Sequence, residues 1–598
     1  MDMLANIPTV NAPECESLGF DHNIDAYRQF SGPANLAGKR VISSELGAQR
    51  DEVYSQTMPE LIWDTKRSVA GGINQFVYHG YPFTGNYPNT TWPGYTTFTY
   101  RFSNMHGPRQ PGWEHYSDYM DWTARTQWVA QSGIPKIDLA FWLKRDEYFS
   151  VPSVYGPNDL AQAGYSYEYL SPDNFNLPEA VVKDGVLAPD RQAFKAMIVR
   201  GNDTLTVTGV QKLVEFANAG LQIVFSGGVP TNLTGYNVTG TKYVQKALQT
   251  ILDLDNVNVV PYDNLASHLS SIGITPRTTI SANRIWYSYW REDQTAARNY
   301  VFLYNDAWDS EIGEGSSAGT VLFEGSGRPY MLDAWTGAMT PILAYFQTKK
   351  ATLIPLQLAG NQSMIIAFAT DEMTPSGTRL LATPSEVYSA TETSGVISLK
   401  AGNSSEPALL SNGTLVNLPI PAAPVPLKDW KLIVESWTRP KHPAHDQTIA
   451  AKSNSTHQLT KLVPWNQISS SLRHVSGRGS YSTTFSWPPK SGEADGAILD
   501  LGVIVNTARV WVNGHQLPPL DPTIAWSDVG EYLQKGKNTV EIVVTTTLGN
   551  ALIPLYDADP ESFKTSGTFW LGPRPIEQEY GLIVPVQLVP YRTTTVAL

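Results

Sequence analysis

The first 125 or so residues alternate short apolar runs with stretches of helical spacing. RVISSEL, which ends beside a carboxylate, predicts a strand, and MPELIWDTKRSVAGG then has the spacing of a helix. INQFVYHG predicts a second strand ending in His79, and EHYSDYMDWTARTQWVAQSG predicts a closing helix. The order strand, loop, helix predicts part of a (β/α) barrel, in which chemistry takes place at the carboxyl ends of the strands.

The pattern changes twice farther along the chain. IDLAFWLK, AFKAMIV and LQIVFSGGVP are apolar strands that alternate with helical segments, which predicts a parallel α/β layer. RIWYSYW, NYVFLYND and SMIIAFAT then alternate apolar and polar positions, as do TARVWVNG and NTVEIVVTTT after the proline-rich AAPVPLKDW. We therefore predict a multidomain fold, α/β plus all-β. Its parts are half of a (β/α) barrel (1–130), a flavodoxin-like α/β domain (131–278), a β-sandwich (279–425) and a galactose-binding-like jelly-roll sandwich (426–598).

The amino-acid composition mainly excludes certain classes of binding partner. The 598 residues carry 43 basic and 55 acidic side chains, a net charge of −12, which disfavours nucleic acid and anionic membranes as partners. We find no apolar stretch of about 20 residues and so predict no membrane helix. The 17 Trp and 29 Tyr suit sugar binding, but they suit the core of a large β-rich protein equally well.

The cellular setting is indicated by glycosylation sequons and by cysteine usage. Asn-x-Ser/Thr occurs more often than chance predicts, at Asn89, Asn202, Asn232, Asn237, Asn361, Asn403, Asn412 and Asn454. The single Cys15 excludes an intramolecular disulfide. MDMLANIPTVNAPECES has neither the basic nor the apolar region of a signal peptide. We expect a secreted glycoprotein in the full-length form, while this chain lacks a signal peptide.

Glu45 is the best candidate for a catalytic carboxylate. Glycoside hydrolysis normally needs two carboxyl groups, and Glu45 lies at the end of a predicted barrel strand. The alternative is an exposed loop glutamate or a residue near the start of the next helix. Glu14 and Glu16 form a second acidic segment near Asp21 and Asp25, which suits either calcium ligation or a solvated acidic turn.

Aromatic and histidine side chains in the predicted loops are candidates for sugar contacts. His79 could donate to or accept from a sugar hydroxyl, or be a hydrogen-bonded structural residue. Trp92 lies in the loop YPFTGNYPNTTWPGYTTF, and Trp113 lies in HGPRQPGWEH. The alternative for the second loop is packing between domains.

These motifs together resemble the family 106 glycoside hydrolases, which are α-L-rhamnosidases and their relatives. The resemblance rests on GKRVISSELGA with the downstream Trp63, on GGINQFVYHG, on WPGYTTF and on YMDWTARTQWVAQSG. Within it, Gly72, Asn74 and His79 fit the family's strand motif, and Arg125, Gln127 and Gly133 fit its helix motif. GSYSTTFSW and ARVWVNGHQL resemble the sugar-binding domain of family 2 glycosidases.

The resemblance implies a (β/α) barrel, an inverting mechanism and a calcium ion, with no organic cofactor. Glu45 matches the glutamate expected to act as general base, Glu16 matches an upstream acidic position, and Asn74 and His79 match positions lining the site. Two features depart from the family. Only about 125 residues precede the second domain, whereas a barrel takes about 250, so we expect half of the barrel and its general acid to be absent. ELGA also stands where rhamnosidases have an aromatic residue and Thr.

Three functions follow as hypotheses. The first is inverting hydrolysis of a terminal sugar from a glycoside or polysaccharide by an α-L-rhamnosidase-like enzyme. The second is a non-catalytic remnant that binds carbohydrate through its sandwiches. The third is a tailoring enzyme of a small-molecule pathway, because a fold does not fix a function.

Overall fold

The structure is a computed structural model with a mixed α/β architecture. It describes residues 2–49, 52, 54–81, 92–93, 106–145, 154–234, 238–307, 315–372, 378–441, 449–558 and 574–597. Within these ranges, no helix is both long and apolar enough to cross a membrane.

The amino-terminal region contains one half-barrel sheet of three parallel strands. They are β1 (Glu14–Glu16), β2 (Ser43–Leu46) and β3 (Gln75–Tyr78), in that order. The sheet is packed against α2 (Ile24–Leu36), α3 (Met58–Ala70) and α4 (Tyr116–Gln131), while a short helix α1 (Met3–Asn6) precedes it. The sequence prediction of strand–helix units is confirmed here.

Local signals explain where the helices begin. The side chain of Asn23 accepts a hydrogen bond from the Asp25 amide at 2.9 Å, which satisfies one of the free donors at the start of α2. At the start of α3, the Glu60 carboxylate accepts from the Thr57 amide at 2.6 Å. Both caps fix the exits of the loops that follow β1 and β2.

A five-stranded parallel sheet follows. Its strands, in spatial order, are Val257–Val260, Gln222–Ser226, Ala196–Arg200, Leu139–Trp142 and Tyr167–Leu170. The helices of this region are Asp159–Ala163, Val207–Asn218, Val238–Ile251 and Leu265–Ser271. The predicted alternation of strands and helices is present.

Two antiparallel sheets enclose the next core. The larger contains Met339–Pro341, Arg328–Leu332, Ser363–Ala369, Arg298–Asn305, Trp286–Asp293 and Ile134–Lys136; the smaller contains Thr278–Ala282, Ser317–Glu324, Ala351–Leu358 and Phe346–Gln347. Trp290, Phe323 and Phe368 are buried together between them. The strand Ile134–Lys136 thus pairs with this region rather than with the parallel sheet that follows it in sequence.

The carboxyl-terminal region contains two further large sheets around a second core. One is built of Ala451–Leu459, Trp430–Thr438, Gly477–Trp487, Gly536–Thr545, Thr507–Val512 and His515–Gln516. The other is built of Val387–Thr393, Val396–Ala401, Gln587–Ala597, Gly496–Asp500 and Trp526–Asp528, with Val425–Pro426 against the same C-terminal strand. This second sheet draws strands from both sides of residue 425, where the sequence predicted a domain boundary.

Short elements complete the described chain. The helical ones are Ile7–Thr9, Pro111–His115, Pro172–Asn176, Trp465–Ile468, Ser470–Leu472, Gly530–Tyr532 and the longer Gly549–Ala558. The extended ones are Val182–Lys183, Val186–Leu187, Thr204–Leu205, Asn232–Leu233, Leu380–Ala382, Ala408–Leu410 and Leu415–Val416.

Candidate active site

Two glutamates lie side by side on one face of the half-barrel sheet. Glu16 of β1 is in register with Glu45 of β2, which is in register with Val77 of β3. Residues in register on neighbouring parallel strands point to the same face. Glu16 is exposed, Glu45 is half-buried and Val77 is 43% exposed. We call this surface, formed by Glu14, Glu16, Glu45 and Val77, the carboxylate face.

The opposite face of the same strands is apolar. Cys15, Leu46 and Phe76 alternate with the carboxylate positions and are buried in the core with residues of α2 and α3. Burial raises the pKa of the Cys15 thiol to about 12, so this cysteine stays protonated. The two-residue period of the strands therefore directs the glutamates away from the helices.

His79 lies at the carboxyl end of β3, beside the glutamate pair. Its amide donates to the Leu46 carbonyl at 2.9 Å, which extends the pairing of β2 and β3 by one residue. Partial burial and the neighbouring charge of Glu45 raise the pKa of Glu16, and the proximity of His79 partly offsets this. The Glu16 carboxylate thus lies within electrostatic reach of both Glu45 and His79, as expected of groups that share one site.

Glycines allow close approaches in the loops that follow β1 and β2. A Cβ added at Gly19 would lie 3.2 Å from Glu16 Oε2, so the loop after β1 passes directly beside that carboxylate. Gly47 follows β2 with φ +87°, and a Cβ there would lie 2.5 Å from His106 Nε2. Only glycine adopts this conformation without strain. The departure of ELGA from the family pattern therefore has a local reason, since His106 fills the space next to residue 47.

His106 belongs to a buried aromatic cluster behind the end of β3. Its Nδ1 lies 2.7 Å from the Tyr116 hydroxyl, and its ring contacts Tyr78 with centroids 5.4 Å apart. Burial, together with the nearby His79, lowers the pKa of His106 to about 3, so its ring is neutral at physiological pH.

A buried polar network that the sequence analysis missed connects the strand-end loops. His22 Nδ1, after β1, lies 3.0 Å from Asp64 Oδ1 in α3, and Gln49 Nε2, after β2, donates to Asp64 Oδ2 at 2.8 Å. Gln56 Nε2 donates to the same oxygen at 3.1 Å. Burial lowers the pKa of His22 to about 4 and raises that of Asp64. No spacing motif marks these residues, because they lie on three separate segments.

Asn74 does not line the site. It lies at the amino end of β3, so the length of that strand separates it from His79. It is buried, its Oδ1 accepts from the Ile42 amide at 2.8 Å, and its Nδ2 donates to the Arg40 carbonyl at 3.0 Å. The family's strand motif was correct about the strand, but Asn74 fixes the entry to β2 instead of facing a sugar.

The two tryptophans expected to contact sugar have different surroundings. Trp92 is only 3% exposed, and its Nε1 donates to the Ile449 carbonyl at 2.8 Å within an apolar cluster that includes Trp437. A ring so enclosed packs the half-barrel against the C-terminal region and does not present a face to a sugar. Trp113 is 41% exposed and stacks on Tyr116 at 4.8 Å, so its role in substrate binding stays a prediction.

The loop HGPRQPGWEH makes contacts with the C-terminal region. Glu114 accepts from Arg478 at 3.1 Å, and His115 Nδ1 lies 2.7 Å from the Thr507 hydroxyl. The Gln110 side chain accepts from the Leu548 amide at 2.8 Å. Packing between regions, one of the two interpretations considered from sequence, describes these residues.

The acidic residues near β1 do not form a calcium site in the described part of the chain. Asp25 is buried, and its carboxylate accepts from the Tyr169 hydroxyl at 2.9 Å and the Val154 amide at 2.6 Å. Glu14 accepts from the Ser43 hydroxyl at 2.8 Å. Among the described residues, no three His, Cys, Asp or Glu side chains come together as metal ligands would. The calcium ion that the resemblance implies stays a prediction, for which the described residues offer no ligand set.

Comparison with known proteins finds a similar solved structure and a matching family model. Over 98% of its length, the chain superimposes on the solved structure of a rhamnosidase from Novosphingobium sp. PP1Y, with a TM-score of 0.68 and 18% identity. The family model for alpha-L-rhamnosidase of glycoside hydrolase family 106 matches residues 12–305. Over residues 12–305 the chain is therefore similar to glycoside hydrolase family 106, and the resemblance predicted from the motifs is confirmed.

The chain spans about half of the Novosphingobium protein, covering 52% of it. The match to an exo-carrageenase from Bacteroides ovatus covers 54% of this chain and 40% of the carrageenase chain, with a TM-score of 0.32 and 12% identity. The match to an alpha-L-fucosidase from Paenibacillus thiaminolyticus covers 60% of this chain and 65% of the fucosidase chain, with a TM-score of 0.35 and 9% identity. No curated protein matches the chain.

Proposed function

We propose that this chain carries the water-activating part of an inverting glycosidase that removes a terminal sugar of rhamnose type from a glycoside. The observation that supports this most is Glu45, placed at the carboxyl end of a barrel strand with Glu16 and His79 beside it. In inverting hydrolysis, a carboxylate takes a proton from the water that attacks the anomeric carbon. Glu45 is the general base in this proposal.

Glu16 does not supply the general acid. The acid and base of an inverting enzyme stand about 6.5–9.5 Å apart so that water fits between base and sugar. Neighbouring strands lie only about 4.8 Å apart, and Glu16 is in register with Glu45. We assign Glu16 a positioning role: its charge acts on Glu45, and its raised pKa means that it takes up a proton at a higher pH than an isolated glutamate does.

His79 is proposed to hydrogen-bond a sugar hydroxyl. Its half-buried ring lies at the end of β3, beside the carboxylate pair and in front of the buried His106 cluster. The expected substrate is thus a carbohydrate, and secretion of the full-length protein stays a prediction supported by its sequons.

The test is hydrolysis of 4-nitrophenyl α-L-rhamnoside by the natural full-length protein and by its Glu45→Gln variant. Loss of the base should lower kcat/KM by about 10²- to 10⁴-fold, the range that general acid–base catalysis contributes. Glu14→Gln is the matched control, because Glu14 lies on the same face, on the neighbouring strand β1, and accepts a hydrogen bond from Ser43. Glu16→Gln should cause a smaller loss and shift the acidic limb of the pH–rate profile.

Proton NMR of the first product formed distinguishes the mechanism. Inversion predicts that the β-anomer appears first from an α-rhamnoside. Unchanged activity in Glu45→Gln would remove that residue from the mechanism. Glycan binding without turnover by the wild type would instead favour the non-catalytic alternative, and retention of configuration would exclude the inverting one.

A further inference from the structure

A cavity of about 500 Å³ lies near the amino ends of the half-barrel strands, whereas Glu45 lies near their carboxyl ends. Its lining includes Lys39, Arg40, Trp128, Arg191, Arg291 and Asp293. It is formed where α2 and α4 end, before β2 begins, so that the strands separate it from Glu45. We call it the basic cavity.

The charge of the basic cavity is opposite to that of the chain. Four basic side chains and one acidic side chain line it, whereas the whole chain carries a net charge of −12. Within the described ranges, no carboxylate forms an ion pair with Lys39, Arg40 or Arg191. Concave surfaces lined by one sign of charge concentrate the field and attract ions of the other sign.

Two of the four cations, Arg291 and Arg191, are positioned by the surrounding backbone. Arg291 is buried, and its Nε and Nη2 donate to the carbonyls of Ser132 and Gly133, each at 2.8 Å. The guanidinium of Arg191 rests against Gly38, where an added Cβ would lie 2.7 Å from Arg191 Nη2. Lys136 donates to the carbonyl of Arg191 at 3.0 Å, which fixes the loop that carries this arginine. These contacts give the two arginines defined positions in the wall of the cavity.

An exposed indole ring lies among these charges. Trp128, in the last turn of α4, is 62% exposed, and its ring meets Tyr300 edge-on at 5.9 Å. A large exposed aromatic in a concave site commonly marks ligand contact. The flat C–H face of a pyranose packs on such a ring, while the cations suit a carboxylate on the same sugar. A bare inorganic ion would use the cations alone.

We propose that the basic cavity is a second carbohydrate site, which binds a carboxylate-bearing sugar unit of an anionic oligosaccharide. The Trp128 ring packs against the pyranose, and Lys39, Arg40 and Arg191 bind the carboxylate. The site lies away from Glu45 and does not depend on catalysis, so it would hold a charged part of a glycan at a distance from the proposed site of hydrolysis.

Calorimetric titration of the full chain tests the proposal with trigalacturonate and the matched neutral galactotriose. We expect trigalacturonate to bind at least about tenfold more tightly, the effect of one charge-assisted hydrogen bond, and to weaken as salt is added. Arg191→Gln and Lys39→Gln should each weaken binding by about five- to tenfold. Trp128→Ala should weaken it as well, while Lys349→Gln, which removes an exposed cation outside the cavity, should not.

Three results would overturn the proposal. Equal binding of the neutral and charged trisaccharides would show that the carboxylate does not contribute to binding. Inorganic phosphate binding as tightly as trigalacturonate, with no effect of Trp128→Ala, would reduce the cavity to an anion site. Tighter binding of AMP would make it a nucleotide site. Glu45→Gln should bind trigalacturonate unchanged, so this test stands apart from the test of hydrolysis.

Discussion

At the scale of single residues, the candidate site depends on positions that stay small. Gly19 lets the loop after β1 pass beside Glu16, and Gly47 lets β2 end against His106. The sequence indicated Glu45 because a carboxylate at a strand end is a recognisable pattern. It could not indicate why Gly47 follows two residues later, since His106 is far away in sequence and close only in the fold.

Gly47→Ala should destabilise the protein through two separate effects. Alanine at a positive φ costs about 1–2 kcal/mol, and the clash with His106 adds about 1–3 kcal/mol of overpacking. Gly413→Ala is the matched control, because Gly413 has φ +84° and nothing within 4 Å of an added Cβ. Thermal unfolding of the two variants measures the difference. Equal losses of stability would show that the His106 side chain moves aside without lowering the free energy of unfolding.

At the scale of elements, hydrophobic periodicity predicted β2, β3, α3 and α4 but not α2. All 13 residues of α2 are buried, so its polar side chains do not mark a solvent-exposed face, and Gly32 and Pro33 inside it disfavour the prediction of a helix. The motif around Asn74 likewise located a strand without showing which of its ends carries function. Burial of Trp92 against Ile449 depends on contacts that no local pattern contains.

The buried imidazole of His115, at the end of the short helix Pro111–His115, should make the free energy of unfolding depend on pH. Burial, aided by Arg509 and Arg478, lowers the pKa of His115 to about 4, while Asp118 acts in the opposite direction. An unfolded histidine titrates near pH 6.5, so between about pH 6.5 and 4 the unfolded chain binds more protons than the folded one. Stability contributed by the neutral ring is complete above pH 6.5 and falls on acidification, by about 3 kcal/mol at pH 4.

Unfolding by urea at several pH values measures this dependence. His115→Asn, which can still bond to Thr507, should flatten the decline relative to the wild type. His515→Asn, at an exposed position, should leave the decline unchanged. Identical slopes for the wild type and His115→Asn would contradict the assignment.

At the scale of the whole molecule, the half-barrel and the C-terminal region are joined by polar contacts between distant parts of the sequence. Arg509 donates to both carboxylate oxygens of Asp118, at 2.8 and 2.9 Å, and the Asn506 side chain accepts from the Met58 amide at 2.8 Å. These contacts bring α3 and α4 against the same sheet edge. The sequence predicted the two regions but not their attachment.

A double-mutant cycle on Asp118→Asn and Arg509→Gln should show this attachment as a coupling energy. For a bidentate, mostly buried pair we expect about 1 kcal/mol, with the single variants less stable than the wild type. Asp118→Asn combined with Arg574→Gln is the control, because Arg574 pairs with Asp557 and should give additive effects. Additivity in both cycles would mean that the Asp118–Arg509 contact contributes nothing to stability.

The strand Gln587–Ala597 has a consequence for how such a gene can be rearranged. It lies between Val396–Ala401 and Gly496–Asp500 in one sheet. A recombination event that transferred residues 426–598 to another protein would separate this strand from one of its partners and leave an unpaired edge open to aggregation. A segment able to move between genes intact would have to start upstream of Val387, so the carboxyl-terminal sheets can be inherited as a unit only together with the segment that precedes the proline-rich linker.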